Sequence, residues 1–422
     1  MRIGIQSWGS EGDIRPCVAL GHALAARGHD VRMLYTEIGE RRYDGVARSL
    51  GFTAAAVASP VIADAHEFHR IGEEIVYTRD PLRQGLIIGK QLLEPVTDAM
   101  YEAGLELARN SDVVVSHIVL HAARAAADTI GTPSILLAYA HMLMPSREIH
   151  PHGLPRLGEW GNALEWKLAR LAANRTLLQD VNRLRRRVGL PIFRDLMLEA
   201  WLSPLLTLIA SSPALLKRPA DWPESVQMSG FLSLPAHEHE TLPPEVDAFL
   251  SEGTPPVFIG FGSLMPQAGA TQLIETVNLL SDAAKQSGER TIIQAEIDGA
   301  GTDRLLFVRR VPHAQLFPRC AAVVHHAGAG TTHATLRAGV PSVPVPHVSD
   351  QFAWAEDLHR LGVAPQPLKR TKLNAATLAS RIREVVGTAR MKRNAVAIQQ
   401  RMLNDNGPVT AATLIEQALA RA

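Results

Sequence analysis

Cysteine is scarce in this sequence: there are two among 422 residues, Cys17 and Cys320. Two cysteines so far apart form no disulfide framework and match no spacing of metal ligands. No apolar run approaches the roughly 20 residues that a helix needs to span a bilayer, and no apolar signal core follows Met1. The sequence therefore predicts a reduced, cytoplasmic protein.

An excess of charge of either sign is also lacking. The 43 lysines and arginines nearly balance the 42 aspartates and glutamates, so the net charge is +1. Such a chain has no overall field that would hold nucleic acid non-specifically, and we expect no nucleic-acid partner. Aromatic residues make up 5% of the chain, apolar residues 46% and charged residues 20%. These fractions are close to globular averages and exclude global disorder.

Short apolar runs alternate with longer helical patterns along the chain. This alternation is typical of βαβ units and of a mostly parallel sheet, so we predict an α/β fold with two doubly wound, Rossmann-like halves. The predicted strands cover residues 3–5, 31–35, 112–115 and 133–137 in the first half, and 257–259, 291–293, 305–308, 322–324 and 340–345 in the second.

The alternation stops in a proline-rich stretch between the two halves. We predict an N-terminal domain over residues 1–215, a linker over 216–250 and a C-terminal domain over 251–400. The last segment, 401–422, is predicted as a helix that packs back on the N-terminal domain. Doubly wound sheets bind ligands at the carboxyl ends of their strands, so we expect the site in the cleft between the domains.

The most informative segment is 323–333, with the sequence VVHHAGAGTTH. An apolar strand runs into a loop of small residues, and the loop opens directly into a helix. Small residues let backbone N–H groups approach an anion, and the helix N-terminus adds positive partial charge. The segment therefore predicts a phosphate-binding loop. It lacks the lysine of a P-loop and the full GxGxxG pattern, so a turn without a ligand is the alternative.

The next predicted strand leads to Asp350 and Gln351, which begin another helix. A carboxylate beside a carboxamide at the end of a strand suits recognition of vicinal hydroxyls. The alternative for Asp350 is a plain helix N-cap. The proximity of the phosphate-binding loop in the sequence favours a sugar attached to a diphosphate.

These two segments, with Gly339-Val340-Pro341 and the Gly-Phe-Gly-Ser-Leu run at 260–264, resemble the donor-binding signature of the family 1 glycosyltransferases, which have the GT-B fold. The loop Gly-Ser-Glu-Gly-Asp-Ile-Arg-Pro at 9–16 resembles the opening loop of sterol glucosyltransferases and antibiotic-aglycone glycosyltransferases. Ala327 stands where the family usually has glycine. The resemblance spans nearly the whole chain and is most specific in the C-terminal half. It implies two Rossmann-like domains that face each other across a cleft.

The resemblance also implies which residues hold a nucleotide-sugar donor. Asp350 and Gln351 would bind the sugar hydroxyls. The base and ribose would lie along 308–313, with backbone hydrogen bonds from Val311 and contacts from Val308 and His313. The residues implied for the diphosphate are Ser263, His326, Gly328, Ala329, Gly330 and Thr331.

Asp13 is the predicted catalytic base, on the loop between the first strand and a helix predicted from about residue 14 to 28. The alternative for Asp13 is an N-cap of that helix. His117, after the strand at 112–115, is its predicted partner, so the pair is reversed relative to the family's usual histidine followed by aspartate. Whether Asp13 acts alone or with His117 stays open. His121 lies four residues on, but two histidines without a third ligand predict no metal site.

The resulting prediction is an inverting glycosyltransferase that needs no metal and no other cofactor. The sequence contains no Asp-x-Asp pair to hold a metal ion, and the histidine, the hydroxyls and the helix dipole of the phosphate-binding loop can neutralise the departing diphosphate instead. It would move a hexose, glucose from UDP-glucose, to a hydroxyl of an apolar acceptor such as a sterol, a lipid or a natural-product aglycone. The alternatives are a dTDP-sugar-dependent transferase, for example of rhamnose, and a nucleotide-sugar epimerase. A nicotinamide-dependent oxidoreductase is disfavoured, because acidic residues in the first loop would repel a pyrophosphate.

A basic stretch, Arg183 with Arg185, Arg186 and Arg187, follows Trp160 and Trp166 in the sequence. Basic residues near tryptophans are typical of peripheral contact with a membrane or a lipid acceptor. A solvated helix face is the alternative.

Overall fold

The structure is a computed structural model that describes residues 1–39, 41–62, 64–78, 80–234, 241–262, 270–297 and 301–421. The strands are β1 (Arg2–Gly9), β2 (Asp30–Glu37), β3 (Thr53–Ala56), β4 (Val113–His117), β5 (Ser134–Ala138), β6 (Leu206–Ile209), β7 (Val226–Met228), β8 (Val257–Gly260), β9 (Thr291–Gln294), β10 (Leu305–Val308), β11 (Ala322–His325) and β12 (Ser342–Pro344). The α-helices are α1 (Glu11–Ala25), α2 (Asp44–Ser49), α3 (Ala65–Tyr77), α4 (Pro81–Ile87), α5 (Thr97–Arg109), α6 (His121–Ile130), α7 (Gly158–Thr176), α8 (Leu178–Arg187), α9 (Pro244–Ser251), α10 (Ala270–Ser287), α11 (His313–Leu316), α12 (Ala329–Arg337), α13 (Gln351–Arg360), α14 (Ala375–Gly387), α15 (Ala389–Met402) and α16 (Gly407–Arg421).

The chain forms two compact units. The first contains Met1–Ile71, Leu82–Leu234 and Asp405–Ala422, and the second contains Gly72–Pro81 and Pro235–Asn404. Each unit has one parallel sheet with helices around it, as the alternating pattern predicts. Among the described residues, no helix is both long enough and apolar enough to cross a membrane.

The first unit has a seven-stranded sheet in the order β3-β2-β1-β4-β5-β6-β7, and every strand pair in it is parallel. The chain moves outward from β1 to β3 and then returns to β4 on the other side of β1. The strand order therefore reverses between β1 and β4, and this is the switch point where open α/β sheets bind ligands. Fully buried aliphatic side chains such as Ile5, Val115 and Leu137 form the core of this sheet.

The C-terminal helix α16 belongs to the first unit. Its residues Ala411, Ala412 and Ile415 are buried in the core that also contains α1. Glu416 accepts hydrogen bonds from Arg27 (2.6 Å) and from the ring of His29 (2.9 Å). These contacts attach the end of the chain to its first βαβ unit.

The second unit has a five-stranded parallel sheet in the order β10-β9-β8-β11-β12. Its strand order reverses between β8 and β11, where His325 lies beside Gly260. One face of the sheet packs on α10 and α14 through residues such as Ile259, Val324 and Leu280. The opposite face packs Phe258 against Phe317.

The predicted linker over 216–250 requires correction. Its first part belongs to the first unit, where β7 is the last strand of the sheet, and its last part contains α9 of the second unit. The Arg218 guanidinium donates to four backbone carbonyls, at Pro219, Trp222, Pro223 and Val226, so the prolines there form an ordered turn. The acidic and histidine-rich run at 237–240 lies outside the described residues.

Candidate active site

Asp13 lies at the switch point of the first sheet. The helix α1 begins at Glu11, earlier than predicted, with Ser10 as its N-cap and Asp13 in its first turn. Asp13 is therefore not the N-cap residue. Its Oδ2 accepts hydrogen bonds from the Ser10 N–H (2.8 Å) and the Ser10 hydroxyl (3.0 Å), as in a capping box. A Cβ on Gly9 would lie 2.3 Å from this oxygen, so the carboxylate needs glycine at that position.

His117 ends β4, the strand next to β1. Its Nδ1 is buried and has no hydrogen-bond partner within the described part of the chain. Burial lowers the pKa of His117 to about 4, so the imidazole is neutral at neutral pH.

Tyr139, immediately after β5, connects the two predicted catalytic residues. Its ring stacks on the His117 imidazole with 4.6 Å between ring centroids. Its hydroxyl donates to the backbone carbonyl of Asp13 at 2.6 Å and lies 3.2 Å from the Cys17 sulfur. The structure thus brings Asp13 and His117 to one tyrosine. A direct hydrogen bond between the two side chains stays a prediction.

Tyr139 is not among the residues that the sequence predicts for the site. The signal available was its place directly after a strand of the same parallel sheet, at the edge where Asp13 and His117 were already expected.

His326 follows β11 at the switch point of the second sheet. A Cβ on Gly262 would lie 2.8 Å from the Cε1 of His326, and a Cβ on Gly328 would lie 2.5 Å from its Nε2. The imidazole therefore fits at this place only because both positions are glycines, which have no Cβ. Its Nδ1 is buried and finds no hydrogen-bond partner among the residues that the structure describes.

The loop after His326 has a constrained backbone. Ala327 has φ = 61°, in the left-handed region that favours glycine, at the position where the family usually has glycine. The N–H of Ala327 donates to the Nδ1 of His325 at 3.1 Å, which holds this conformation. Gly328 is then the N-cap of α12.

Four of the six residues predicted to bind the diphosphate lie at the start of α12, where Gly328 is the N-cap. Ala329, Gly330 and Thr331 form its first turn, where backbone N–H groups lack intrahelical acceptors. Ser263 lies outside the described residues.

Asp350 and Gln351 lie together at the start of α13. Asp350 occupies the N-cap position, but its Oδ2 accepts a hydrogen bond from the Trp354 indole at 3.0 Å and makes no N-cap bond. Burial raises the pKa of this carboxyl. The Gln351 side-chain oxygen accepts from the N–H groups of His347 (2.9 Å) and Val348 (3.1 Å), so the amide is oriented by the loop before it.

The predicted nucleoside-binding residues lie at the end of β10 and the start of α11. The Val308 side chain is buried in the core, and Val311 packs partly against it. The His313 ring stacks on Phe317 with 4.3 Å between centroids. Among these three residues, His313 is the one whose ring is held in place by aromatic packing.

The basic stretch on α8 does not form a free positive patch. Arg183 pairs with Glu94 and Asp180, and Arg187 pairs with Asp98. Arg185 is buried and pairs with Asp128 at 2.6 Å. The predicted membrane contact through these arginines is therefore not supported, because intramolecular ion pairs occupy three of the four.

No cluster of three or more histidine, cysteine, aspartate or glutamate side chains in the described ranges has an arrangement that could hold a metal ion.

Comparison with known proteins identifies the family. The C-terminal domain described for erythromycin biosynthesis protein CIII-like proteins matches residues 298–417. The chain is also 30% identical to the O-mycaminosyltylonolide 6-deoxyallosyltransferase of Streptomyces fradiae, over 99% of this chain and 97% of the relative. This chain belongs to the family 1 glycosyltransferases. The resemblance found in the sequence, and the prediction of an enzyme that transfers a glycosyl group, are confirmed.

Further relatives of this glycosyltransferase span nearly its whole length. It is 28% identical to the sterol 3-beta-glucosyltransferase UGT80B1 of Arabidopsis thaliana, over 97% of this chain and 67% of the relative. Among solved structures it resembles the calicheamicin glycosyltransferase CalG4, with a TM-score of 0.69 at 18% identity, covering 100% of this chain and 99% of that one. It also resembles the glycosyltransferase VinC in complex with dTDP, with a TM-score of 0.66 at 19% identity and full coverage of both chains. These structural matches confirm the GT-B fold.

Three histidines of the second unit make the stability of this glycosyltransferase depend on pH. Burial is the main cause that lowers the pKa of His325 and His347 to about 3 and that of His326 to about 4. Below a pH of about 6.5 the unfolded chain binds protons at these histidines while the folded chain does not, so acidification favours unfolding.

We therefore expect the free energy of unfolding to fall from pH 6.5 to pH 5 by about 2 kcal/mol for each of these histidines. Urea denaturation at the two pH values measures the loss. His325→Asn places an oxygen near the former Nδ1 and should reduce the loss, whereas the control His359→Asn, on an exposed position of α13, should not. Equal pH dependence in the two variants would contradict this explanation.

Proposed function

We propose that this glycosyltransferase transfers a hexose, glucose from UDP-glucose, to a hydroxyl of an apolar small-molecule acceptor with inversion at the anomeric carbon. The observation that supports it best is His326, held between Gly262 and Gly328 at the start of α12. Its relative UGT80B1 is named for transfer of glucose to a sterol, which agrees with this donor and with an apolar acceptor.

In this proposal the start of α12 stabilises the departing diphosphate. The backbone N–H groups of its first turn and the helix dipole favour negative charge at that position. Since its pKa is about 4, His326 at neutral pH donates one N–H and contributes no full positive charge. Preorganised donors of this kind stabilise the charge that develops on a leaving group. We therefore propose that transfer needs no metal ion.

Sugar recognition is assigned to Asp350 and Gln351. The Asp350 carboxylate is oriented by the Trp354 indole, and the Gln351 amide by the backbone of the preceding loop. Both side chains are therefore preorganised before a sugar arrives. Carboxylate oxygens accept hydrogen bonds from sugar hydroxyls, whereas the amide N–H₂ donates to them.

Activation of the acceptor is assigned to Asp13, with His117 as its partner. The acceptor hydroxyl passes its proton to this pair as its oxygen bonds to the anomeric carbon. The bond from that carbon to the diphosphate oxygen breaks, and the nucleoside diphosphate leaves with the electron pair. His117 is neutral, so its imidazole can accept a proton as well as orient a neighbour. Tyr139 holds the His117 ring and the Asp13 backbone in one arrangement.

A second candidate donor is a dTDP-linked deoxyhexose, such as a rhamnosyl donor. The relative from Streptomyces fradiae is named for transfer of a 6-deoxyallosyl group, and VinC was solved with dTDP. UDP and dTDP differ at the base by one methyl group, which an apolar pocket discriminates by only about 1–3 kcal/mol.

The function is tested by incubating the protein with UDP-glucose or a dTDP-linked deoxyhexose and a panel of apolar alcohols. A glycoside with inverted anomeric configuration, formed at the same rate with and without a chelator, is the expected product. The His326→Ala variant is the negative control, because loss of one preorganised donor costs about 10²–10³-fold in turnover. A free epimerised sugar nucleotide would identify an epimerase instead, and loss of activity with the chelator would exclude metal-independent transfer.

Asp350→Asn separates sugar recognition from a structural role. Asparagine keeps an oxygen for the Trp354 indole but lacks the charge, and hydrogen bonds to charged groups contribute about 1.5–3 kcal/mol each. We therefore expect kcat/KM for the sugar nucleotide to fall about 10–100-fold while the affinity for the bare nucleotide is unchanged. The control Asp282→Asn, on an exposed position of α10, should change neither. Equal weakening of both ligands would assign Asp350 a structural role only.

The variant Asp13→Asn tests whether Asp13 is the catalytic base. Asparagine keeps an acceptor for Ser10 and loses basicity, so we expect turnover to fall about 10²–10⁴-fold with donor affinity unchanged. The control Glu11→Gln, in the same helical turn, should stay active. If His117 acts with Asp13, His117→Ala should lose as much activity and the double variant little more, since coupled catalytic groups are not additive. A fully active Asp13→Asn enzyme would contradict the assignment.

A further inference from the structure

The helix α7 is amphipathic, but polar side chains lie on its buried face and large apolar side chains lie on its exposed face. Its buried positions include two polar residues, Asn162 and Glu165, together with Trp166. Its outer face carries five large apolar side chains at the spacing of one helical face. They are Leu157 in the turn before the helix, Trp160, Leu164, Leu168 and Leu171. We call these five residues the α7 stripe.

Specific polar contacts fix this orientation of α7. The Asn162 side chain donates to the carbonyl of Arg147 at 2.8 Å, and the Trp166 indole donates to the carbonyl of Ile149 at 2.7 Å. One turn further, Arg170 pairs with Asp195 at 2.7 Å. A rotation that buried the stripe would break all three contacts. The exposure of the stripe is therefore built into the packing of the helix.

The α7 stripe is far more exposed than apolar side chains of a folded unit usually are. Trp160 is 83% exposed, and the four leucines are 55–60% exposed. Of the six tryptophans, all within the described residues, the other five are buried or half-buried. A contiguous apolar stripe of this kind marks an interaction surface.

The charges beside the stripe indicate its occupant. Exposed cations flank it at Arg156, Lys167 and Arg175, and the Arg147 guanidinium lies over the Trp160 ring at 5.7 Å. Glu159 is the single exposed acid of the helix. The occupant must therefore combine an apolar interior with negative charge at its surface.

A second copy of the chain fits this requirement poorly. If two α7 helices paired in antiparallel orientation around Leu164 and Leu168, Arg156 of one copy would lie near Arg175 of the other. If they paired in parallel, each cation would face its own counterpart. Each copy carries three exposed cations but one exposed acid along this segment, so both arrangements bring an excess of positive charge together.

We infer that the α7 stripe docks this glycosyltransferase on an anionic lipid surface, with Trp160 and the leucines in the acyl boundary and the flanking cations at the phosphate headgroups. Leucine and tryptophan on one face, with lysine and arginine beside them, is the composition of interfacial helices. Anionic headgroups attract such cations within a Debye length of the membrane. The inference does not depend on which sugar the enzyme transfers.

Co-sedimentation with vesicles tests this inference on the full-length protein. We expect binding to vesicles of phosphatidylcholine with about one third phosphatidylglycerol, and at least tenfold weaker binding to phosphatidylcholine alone. The double variant Trp160→Ser/Leu164→Ser, and separately the charge reversal Lys167→Glu/Arg175→Glu, should each weaken binding to the acidic vesicles at least tenfold. The matched control is Leu403→Ser, because Leu403 is also exposed but lies outside the stripe.

Tryptophan fluorescence locates the contact. Acidic vesicles should shift the emission of the native protein to shorter wavelength, whereas Trp160→Phe should bind without the shift. Absence of binding to acidic vesicles, equal binding by the stripe double variant, or equal binding to both vesicle types would overturn the inference. A solution dimer that the same double variant dissociates would also overturn it, because a second copy would then cover the stripe.

Discussion

Close approach of backbone to the buried imidazole of His326 is the constraint on which the loop between β11 and α12 depends. Two positions beside the ring, Gly262 and Gly328, leave no room for a Cβ. The loop then needs a left-handed residue at Ala327, whose N–H is held by His325. This conformation leads the chain into Gly328, the N-cap from which α12 begins. A side chain at either glycine would displace the ring and change the start of the helix.

The two units use the same physical scheme at their switch points. In each, a histidine lies at the carboxyl end of the strand that pairs with the unit's first strand across the switch point, β4 in the first unit and β11 in the second, and burial keeps it neutral. A neutral imidazole can donate or accept a hydrogen bond without the desolvation cost of a buried charge. The two rings are held differently, because Tyr139 stacks on His117 in the first unit whereas His326 in the second lies between Gly262 and Gly328.

The helices α7 and α8 show that composition alone does not identify a charged or apolar interaction surface. The arginines of α8 are held in ion pairs, and Arg185 is buried although it looks like part of a basic patch. On α7, the polar residues face inward and the leucines face outward. Trp160 and Trp166 differ by six residues in sequence and have opposite environments. The positions of charge and apolar area follow from how each helix is rotated, which depends on contacts with distant residues.

The sequence by itself determined the class of fold and the strands of the second half, because hydrophobic periodicity is a local property. The sequence also predicted that His326 and Asp350 lie near each other, since both follow strands of one parallel sheet. Tertiary structure decided what depends on distant contacts. Tyr139 joins His117 to Asp13 across three strands, and Arg218 orders a proline-rich turn that sequence alone presents as a linker. The leucines of α7 are exposed because the opposite face of the helix makes hydrogen bonds to Arg147, Ile149 and Asp195. No local sequence pattern encodes these contacts with distant residues.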